Sequence, residues 1–309
     1  MLDMISNFLV FVILFIFGMT VMRVGLFNLS ANKMKAYLIK FTDNPFKGLI
    51  TGTIITAILQ SSSAVTILTI GLVTAGYITF KQSIGIILGT NIGTTFTTEI
   101  ITFDLSNVII PFLVVGTLLM FVPKVKIFSF GAFLFGLGCM FVSMNGFELL
   151  AAPISVIPSV QTFLQESNNN SLLAVAIGTV LTAIIQSSTA TTGIIMSFLN
   201  ENILSLSTGI AIVLGANVGT CVTALLASIG ASHQAKLTAY THVWLNVIGV
   251  ILFFPLIKWF VYVASTLTSF PDVQLAHVSL IFNVLSSIIA LPLTGLLATF
   301  IIKLHGRTS

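Results

Sequence analysis

One fifteen-residue stretch occurs twice in this chain, and that repetition constrains the fold more than any other feature. Gly52–Thr66 reads GTIITAILQSSSAVT and Gly178–Thr192 reads GTVLTAIIQSSTATT, so ten of the fifteen positions are identical at a spacing of 126 residues. A second pair keeps the same spacing, because Gly89–Thr94 (GTNIGT) recurs as Gly215–Thr220 (GANVGT). The chain is therefore an internal duplication, and each copy carries two polar segments.

The polar segments interrupt a chain that is too apolar for a water-soluble protein. Of its 309 residues, 56% are hydrophobic and 6% are charged, whereas soluble domains are about 25% charged. Runs long enough to span a bilayer, roughly 20 residues each, recur along the chain. We therefore predict an all-α polytopic protein of the cell membrane, not an enzyme. The dispersed basic residues indicate no nucleic-acid partner, and both cysteines, Cys139 and Cys221, are expected to be buried and unpaired.

The apolar runs predict where the membrane segments lie. Repeat 1 is expected over residues 1–122, repeat 2 over 127–262, and an additional C-terminal helix over 276–302. Besides that helix, the expected spans are 6–27, 107–122, 127–145 and 237–262. Two long loops are expected, at 28–47 and at 146–170. Two segments, 48–80 and 171–200, are too long for one span and too short for two, so each is predicted to be a re-entrant helical hairpin. Segments 82–103 and 207–229 carry the glycines and an asparagine at mid-length, which predicts broken helices.

Charge counting gives the expected orientation. If the loop after the first span is cytoplasmic, alternation places every one of the 12 lysine and arginine residues except Lys258 on the cytoplasmic side. The N-terminus is then outside and the C-terminus cytoplasmic. The hairpin at 48–80 is entered from the cytoplasm and the one at 171–200 from outside. This arrangement is an inverted-topology repeat, a common plan of secondary transporters.

The polar segments predict an ion-binding site near the middle of the membrane, because irregular backbone at that depth must be satisfied by protein or by a water-filled cavity. Helix halves beginning at Ser62–Ser63, Thr94, Ser188–Thr189 and Thr220 would present N–H groups that suit an anion. Backbone carbonyls and four amide side chains suit sodium; these are Gln60, Asn91, Gln186 and Asn217. Since neither hairpin nor broken span contains lysine or arginine, co-bound sodium is expected to balance the anion's charge.

These motifs resemble those of the type II sodium/phosphate cotransporter family. The duplicated QSS(S/T) hairpins, the G-x-N-(I/V)-G-T segments and the FGM-type helices near Phe15 and Phe133 carry the resemblance, which runs from Phe15 to about Pro292. It implies transport of inorganic phosphate driven by sodium, with no organic cofactor. The implied phosphate-binding residues are Gln60, Ser61, Ser62, Ser63, Gln186, Ser187, Ser188 and Thr189. The expected sodium ligands are Gln60, Ser63, Thr66, Asn91, Thr94, Gln186, Thr189, Thr192, Asn217 and Thr220.

Several alternatives stay open at this point. The anion could be a dicarboxylate or sulfate, although no arginine is expected near the site to hold an extended carboxylate, and the carrier could export phosphate. An intramembrane hydrolase would use a serine with one of His233, His242 or His277, but a duplicated serine has no purpose there. Glu99 is expected to be an interfacial acid, and a homodimer is expected for so small a bundle.

Overall fold

The computed structural model describes residues 2–306 of the chain. This part contains fifteen α-helices and three short 3-10 turns, joined by short connections. The first seven helices are α1 (Leu2–Lys40), α2 (Pro45–Leu59), α3 (Ser62–Thr74), α4 (Phe80–Ile100), α5 (Ile109–Met120), α6 (Val125–Ser155) and α7 (Pro158–Asn169). The others are α8 (Ser171–Ile185), α9 (Ser188–Asn200), α10 (Leu206–Gly219), α11 (Cys221–Ala227), α12 (His233–Phe253), α13 (Ile257–Leu267), α14 (Pro271–Ala290) and α15 (Thr294–His305). The 3-10 turns are Ser106–Val108, Phe254–Leu256 and Leu291–Leu293.

Two predicted loops prove to be helical. The first span was expected to end at Phe27 and a loop to follow, but α1 continues to Lys40, since no glycine or proline interrupts the sequence before Pro45. The loop predicted over 146–170 is likewise wrong, because α6 runs to Ser155 and α7 follows it. The axis bends by 119° between α7 and α8. The predicted cytoplasmic C-terminus, at residues 307–309, lies outside the described residues.

Five stretches of the described chain are long and apolar enough to cross a membrane, and they include α1, α6, the α10–α11 pair, α12–α13 and α14–α15. Helices α2, α3, α8 and α9 contain 13 to 15 residues each, about 20–22 Å at 1.5 Å per residue, and so are too short to cross a core of about 30 Å. They form two pairs, α2–α3 and α8–α9, each joined at a two-residue turn. That each pair enters and leaves on one side of the membrane stays a prediction.

The segment predicted to be broken over 82–103 is one continuous helix, α4. Its glycines serve a different purpose from unwinding. A Cβ atom on Gly89 would meet the Leu49 carbonyl of α2, and one on Gly93 would meet the Thr53 carbonyl. The glycines therefore let the backbones of α2 and α4 touch, a use of small residues that is typical of membrane helices. Helix α4 is polar for a membrane helix because most of its surface is covered by other helices.

The second copy repeats this packing residue for residue. Gly215 and Gly219 of α10 face the carbonyls of Val175 and Thr179 on α8, and all four positions lie 126 residues after their counterparts in the first copy. The break predicted over 207–229 amounts to one residue, Thr220, between α10 and α11. Its N–H still bonds the Ala216 carbonyl, 3.2 Å away, so the helix is barely interrupted.

The FGM-type helices also contact each other reciprocally. A Cβ on Gly18 of α1 would meet the Gly136 carbonyl of α6, and a Cβ on Gly136 would meet the Gly18 carbonyl. The contact therefore joins equivalent positions of the two copies, and the opposite orientation of the copies in the membrane stays a prediction. The main apolar core lies beside this contact and includes Phe15, Met140 and Phe147, all fully buried.

The glycine contacts predict a specific loss of stability. Gly215→Ala would place a methyl group against the Val175 carbonyl, so the two helices must separate, and overpacking of this kind destabilises by about 1–3 kcal/mol. Gly71→Ala on α3 is the matched control, since no atom of the described residues lies within 4 Å of its Cβ position. We expect Gly215→Ala to unfold at a lower temperature in detergent while Gly71→Ala unfolds at or above the wild-type temperature. Equal unfolding temperatures for Gly215→Ala and wild type would contradict the packing argument.

Candidate functional site

The two glutamines of the repeated motif occupy the same unusual backbone position. Gln60 ends α2 with φ 54° and ψ 31°, and Gln186 ends α8 with φ 55° and ψ 28°, the left-handed region that commonly closes a helix. The next residue, Ser61 or Ser187, is extended and caps the following helix by accepting a hydrogen bond of 3.2 Å from the N–H three residues on. The motif thus builds two identical turns that each start a helix.

The two turns meet at one small polar cavity, which we call the donor cavity. Its lining comes from both copies of the duplication and from α1. The lining residues are Arg23, Gln60, Ser62, Ser63, Thr94, Gln186, Ser187, Ser188, Thr189 and Thr220. The volume is about 10 Å³, roughly the space of one water molecule.

The first residues of two helices, α3 and α9, line the donor cavity. The first N–H groups of a helix have no acceptor within the helix. In α3, Ser61 accepts from Ala64 and Val65, which leaves the N–H groups of Ser62 and Ser63. In α9, Ser187 accepts from the N–H groups of Ala190 and Thr191, and those of Ser188 and Thr189 are left. All four of these residues line the cavity, where two helix N-termini favour negative charge.

Arg23 supplies a cation that the sequence analysis did not place at the site. It lies inside the membrane-spanning stretch of α1, and its Nε donates a 2.7 Å hydrogen bond to the Gln60 carbonyl oxygen. Charge counting had assigned this arginine to the cytoplasmic side, and the expectation that no arginine lies near the site is wrong. The missed signal was the position of Arg23 in an apolar run, because charged groups within a span usually mark a functional site.

A second polar cavity, the acceptor cavity, adjoins the first and shares Thr94 and Ser188 with it. Its other lining residues come from α4, α9, α10 and α14, and are Thr95, Thr98, Thr192, Val213, Asn217, Ser279 and Asn283. It too measures about 10 Å³. None of these side chains is charged, and all except Val213 carry an oxygen atom.

Four residues of the acceptor cavity donate hydrogen bonds away from it, within their own helices. Thr94 and Thr95 donate to the carbonyls of Thr90 and Ile92 at 2.8 and 2.7 Å. The amide groups of Asn217 and Asn283 donate to carbonyls one turn earlier on their own helices, at 2.9 and 2.8 Å. Since the donors are used within the helices, lone pairs remain for a ligand, and a cluster of neutral oxygens suits a small hard cation.

Several predicted site residues lie outside both cavities. Ser61 has become a helix cap, Thr66 is buried with its hydroxyl unpartnered in the described structure, and Asn91 of α4 donates to Asn246 of α12 at 2.8 Å. Thr94 lies within continuous α4, so the predicted helix start there is wrong. The Thr220 N–H is bonded to Ala216 and is not free either. The two helix N-termini at the site are those of α3 and α9.

Glu99 also has an unpredicted partner. Its Oε1 lies 3.0 Å from Nδ1 of His277, which links α4 to α14, and both side chains are partly buried. The acid therefore takes part in a contact between α4 and α14, and its predicted place at the membrane interface stays a prediction. Among the other histidines of the hydrolase alternative, His242 has neither ring nitrogen bonded in the described structure.

The two halves of the donor cavity differ in exposure. Gln60 is 8% exposed, and its Oε1 atom is buried with no hydrogen-bond partner in the described residues. Gln186 occupies the equivalent turn but is exposed. The two equivalent glutamines therefore have different surroundings in this structure.

Comparison with known proteins identifies relatives along most of the chain. The family described as Na+/Pi-cotransporter matches residues 14–148 and 155–276. The uncharacterized protein YqeW of Bacillus subtilis is 40% identical over 296 residues, which cover 96% of each chain. YjbB of Escherichia coli K12, named for a proposed role in inorganic phosphate export, is 23% identical over 291 residues, 94% of this chain and 53% of that protein. The chain thus spans about half of YjbB.

A shorter match joins the chain to an animal protein. The mouse sodium-dependent phosphate transport protein 2A is 33% identical over 96 residues, 30% of this chain and 15% of that protein. No solved structure matches the chain.

Proposed function

Because the chain belongs to the Na+/Pi-cotransporter family, we propose that it is a secondary transporter that moves inorganic phosphate across the cell membrane together with sodium ions. Phosphate binds in the donor cavity and sodium in the acceptor cavity. The single observation that carries the proposal is the pairing of these cavities: one presents N–H groups and a guanidinium, and its neighbour presents neutral oxygens.

The anion's charge can be balanced from both cavities. Arg23 contributes one full positive charge and the N-termini of α3 and α9 contribute partial ones. A divalent phosphate needs further positive charge nearby, because an uncompensated charge in a low-dielectric site is unfavourable. A sodium ion next to the phosphate supplies that charge. Thr94 and Ser188 line both cavities, so the two ions would share ligands. Each ion then raises the affinity for the other.

The donor cavity favours phosphate over the alternative anions. The Oε1 atom of Gln60 is a buried acceptor that needs a proton donor. Monohydrogen phosphate carries such an O–H group, whereas sulfate has none at neutral pH, and leaving a buried acceptor unpaired costs about 1–3 kcal/mol. A dicarboxylate places its charges at separate ends of the molecule, but the donors converge on one small space. Arg23 lines the cavity, so discrimination against a dicarboxylate depends on the arrangement of the donors and not on the absence of an arginine.

Transport requires the site to open alternately to the two sides. We propose that the two hairpins are re-entrant and have opposite orientation, and that their turns separate to admit an ion larger than the present cavity. The difference in exposure between Gln60 and Gln186 supports this, because equivalent residues of the two hairpins have different surroundings in one structure. The FGM helices, which contact each other reciprocally, would form the static part around which the hairpins move.

Binding to the purified protein tests this function. Radiolabelled phosphate binding is measured in detergent, in sodium chloride and in equal potassium chloride, with sulfate and succinate as competitors. We expect binding that requires sodium and resists both competitors. If sulfate displaces phosphate at equal concentration, the role assigned to Gln60 is wrong. If phosphate binds equally well in potassium chloride, the acceptor cavity is not a sodium site.

Export is the second candidate function, and the name of the Escherichia coli relative favours it. A carrier of this kind is reversible, so export needs no other site. It needs a cell in which the combined gradients of sodium and phosphate point outward. Phosphate retention in cells lacking the protein, measured after loading with phosphate, distinguishes export from uptake.

The acceptor cavity predicts which residues set the sodium dependence. Thr192→Val keeps the shape of the side chain but removes an oxygen from the acceptor cavity, which lies apart from the Gln60–Ser63 turn. We expect the sodium concentration for half-maximal phosphate binding to rise about tenfold, the effect of roughly 1.4 kcal/mol, while phosphate affinity at saturating sodium changes little. Ser265→Ala on α13 is the control, because Ser265 is exposed and bonds its own helix. An unchanged sodium dependence in Thr192→Val would show that sodium binds elsewhere.

A further inference from the structure

A third cavity lies between α4, α12, α14 and α15, away from the two turns, and has a different character. It measures about 300 Å³, within the range of small-molecule pockets, and its walls are mostly leucine, isoleucine and phenylalanine side chains. Ile248, Leu252, Leu293 and Leu296 are each more than 40% exposed. They lie on stretches that are long and apolar enough to cross the membrane, so the entrance of this pocket faces lipid.

The floor of the pocket is polar. Ser286 of α14 lines it, and its hydroxyl is buried with no hydrogen-bond partner in the described structure. Asn91 and Asn283 line it as well, and their amide N–H groups are already bonded to Asn246 and Ser279, which leaves their carbonyl oxygens. A buried hydroxyl without a partner is unfavourable by about 1–3 kcal/mol unless a ligand satisfies it.

We propose that this pocket binds a neutral amphiphile, a molecule with an alkyl or ring body and one uncharged hydrogen-bonding end such as a hydroxyl. The apolar walls receive the body, and the hydroxyl of the ligand pairs with Ser286 and the asparagine oxygens. A charged head group is excluded because no lysine, arginine, aspartate, glutamate or histidine is among the residues that line the pocket. The ligand enters sideways from the bilayer, as a membrane alcohol or an added drug-like molecule.

The position of the pocket connects occupancy with transport, and this second step rests on the proposed function. Asn283 lines both this pocket and the acceptor cavity. The Asn91–Asn246 hydrogen bond, which joins α4 to α12, lies at its floor. A molecule seated there holds α4, α12 and α14 together and opposes the movement of α4 relative to its neighbours. Neutral amphiphiles are therefore expected to inhibit phosphate transport.

Gly249 offers a way to fill the pocket. A Cβ at this position of α12 would make ordinary contacts with Phe282 and Ser286, at 3.4 and 3.5 Å, so Gly249→Leu extends into the space. Gly295 on α15 is the matched control, because nothing lies within 4 Å of its Cβ position. Ser286→Ala removes the unpartnered hydroxyl without changing the size of the pocket.

The test is photolabelling of the protein in nanodiscs with a twelve-carbon alcohol that carries a diazirine, compared with the matching hydrocarbon and carboxylate. We expect dodecanol-competable labelling of α12 and α14 by the alcohol alone. Labelling should fall at least tenfold in Gly249→Leu, fall roughly three- to tenfold in Ser286→Ala, and persist in Gly295→Leu. Equal labelling by the hydrocarbon would mean that lipid chains fill the pocket and would overturn the proposal, as would undiminished labelling of Gly249→Leu.

A transport arm separates the two proposals. Phosphate uptake by Ser286→Ala, which leaves the pocket unfilled, should resist concentrations of dodecanol that halve wild-type and Gly295→Leu uptake in proteoliposomes. Equal inhibition of all three proteins would overturn the link between the pocket and transport. If the wild-type protein carries no phosphate at all, the proposed function fails, while the labelling result still decides whether the pocket binds the alcohol.

Discussion

Replacing Arg23 with glutamine is expected to weaken phosphate binding by a factor on the order of 100. The side chain lines the donor cavity with both motif turns and donates to the Gln60 carbonyl, so its charge would act on an anion bound there. Removing one partner of a buried, hydrogen-bonded charge pair costs about 2–5 kcal/mol, and about 1.4 kcal/mol corresponds to a factor of ten. Glutamine keeps a donor for the Gln60 carbonyl, so the turn should survive. Radiolabelled phosphate binding in saturating sodium measures the effect.

Arg23→Lys is the comparison that separates charge from geometry. Lysine keeps the charge but not the planar fork that binds two oxyanion oxygens at once, so an intermediate loss is expected. Lys35→Gln serves as the control for a lost positive charge elsewhere on α1. If Arg23→Gln is folded and binds phosphate within threefold of the wild-type affinity, Arg23 does not take part in phosphate binding.

Proline at the first position of α3 or α9 is expected to lower phosphate affinity roughly 10- to 100-fold. Proline is well tolerated at the first position of a helix, and the preceding residues, Ser61 and Ser187, already have the extended backbone that proline requires. Ser62→Pro and Ser188→Pro thus remove one N–H group each from the donor cavity while the helix remains. A hydrogen bond to a charged group is worth about 1.5–3 kcal/mol, which gives the expected range.

Two controls accompany the proline variants. Ser62→Ala keeps the N–H group and loses only the hydroxyl, so it isolates the contribution of the backbone. Ser171→Pro places proline at the first position of α8, after the extended Asn170, at a helix start that does not line either polar cavity. Unfolding temperature and phosphate binding are measured for all four proteins. If Ser62→Pro and Ser171→Pro bind phosphate equally well, the helix N-termini do not hold the anion.

The duplication and the motif turns were accessible from the sequence because both depend on local patterns. The repeated glutamine and serines mark the two turns, and the length of the flanking helices follows from the spacing of polar residues. Helices α8 and α9 cover the predicted hairpin 171–200 between them. The family likewise follows from the motifs, and the comparison confirms it.

Features that depend on neighbours distant in sequence could not be predicted. Gly89 and Gly93 look like helix breakers until α2 is seen against them. Arg23 is 37 residues before Gln60, and nothing local shows that α1 reaches the turn. The donor cavity holds Arg23 and the starts of α3 and α9, while the acceptor cavity holds Asn217 and Asn283, and this division appears only once the helices are placed in three dimensions.

Phosphate uptake into proteoliposomes decides whether the protein is a sodium-coupled phosphate transporter. Vesicles containing the purified protein receive radiolabelled phosphate outside, under an inward sodium gradient or an equal potassium gradient, with Arg23→Gln vesicles in parallel. We expect accumulation that needs sodium, collapses when the gradient is dissipated, and is nearly absent in Arg23→Gln. Accumulation at the same rate in potassium would contradict sodium coupling, and wild-type vesicles that take up no phosphate under either gradient would contradict the proposed substrate.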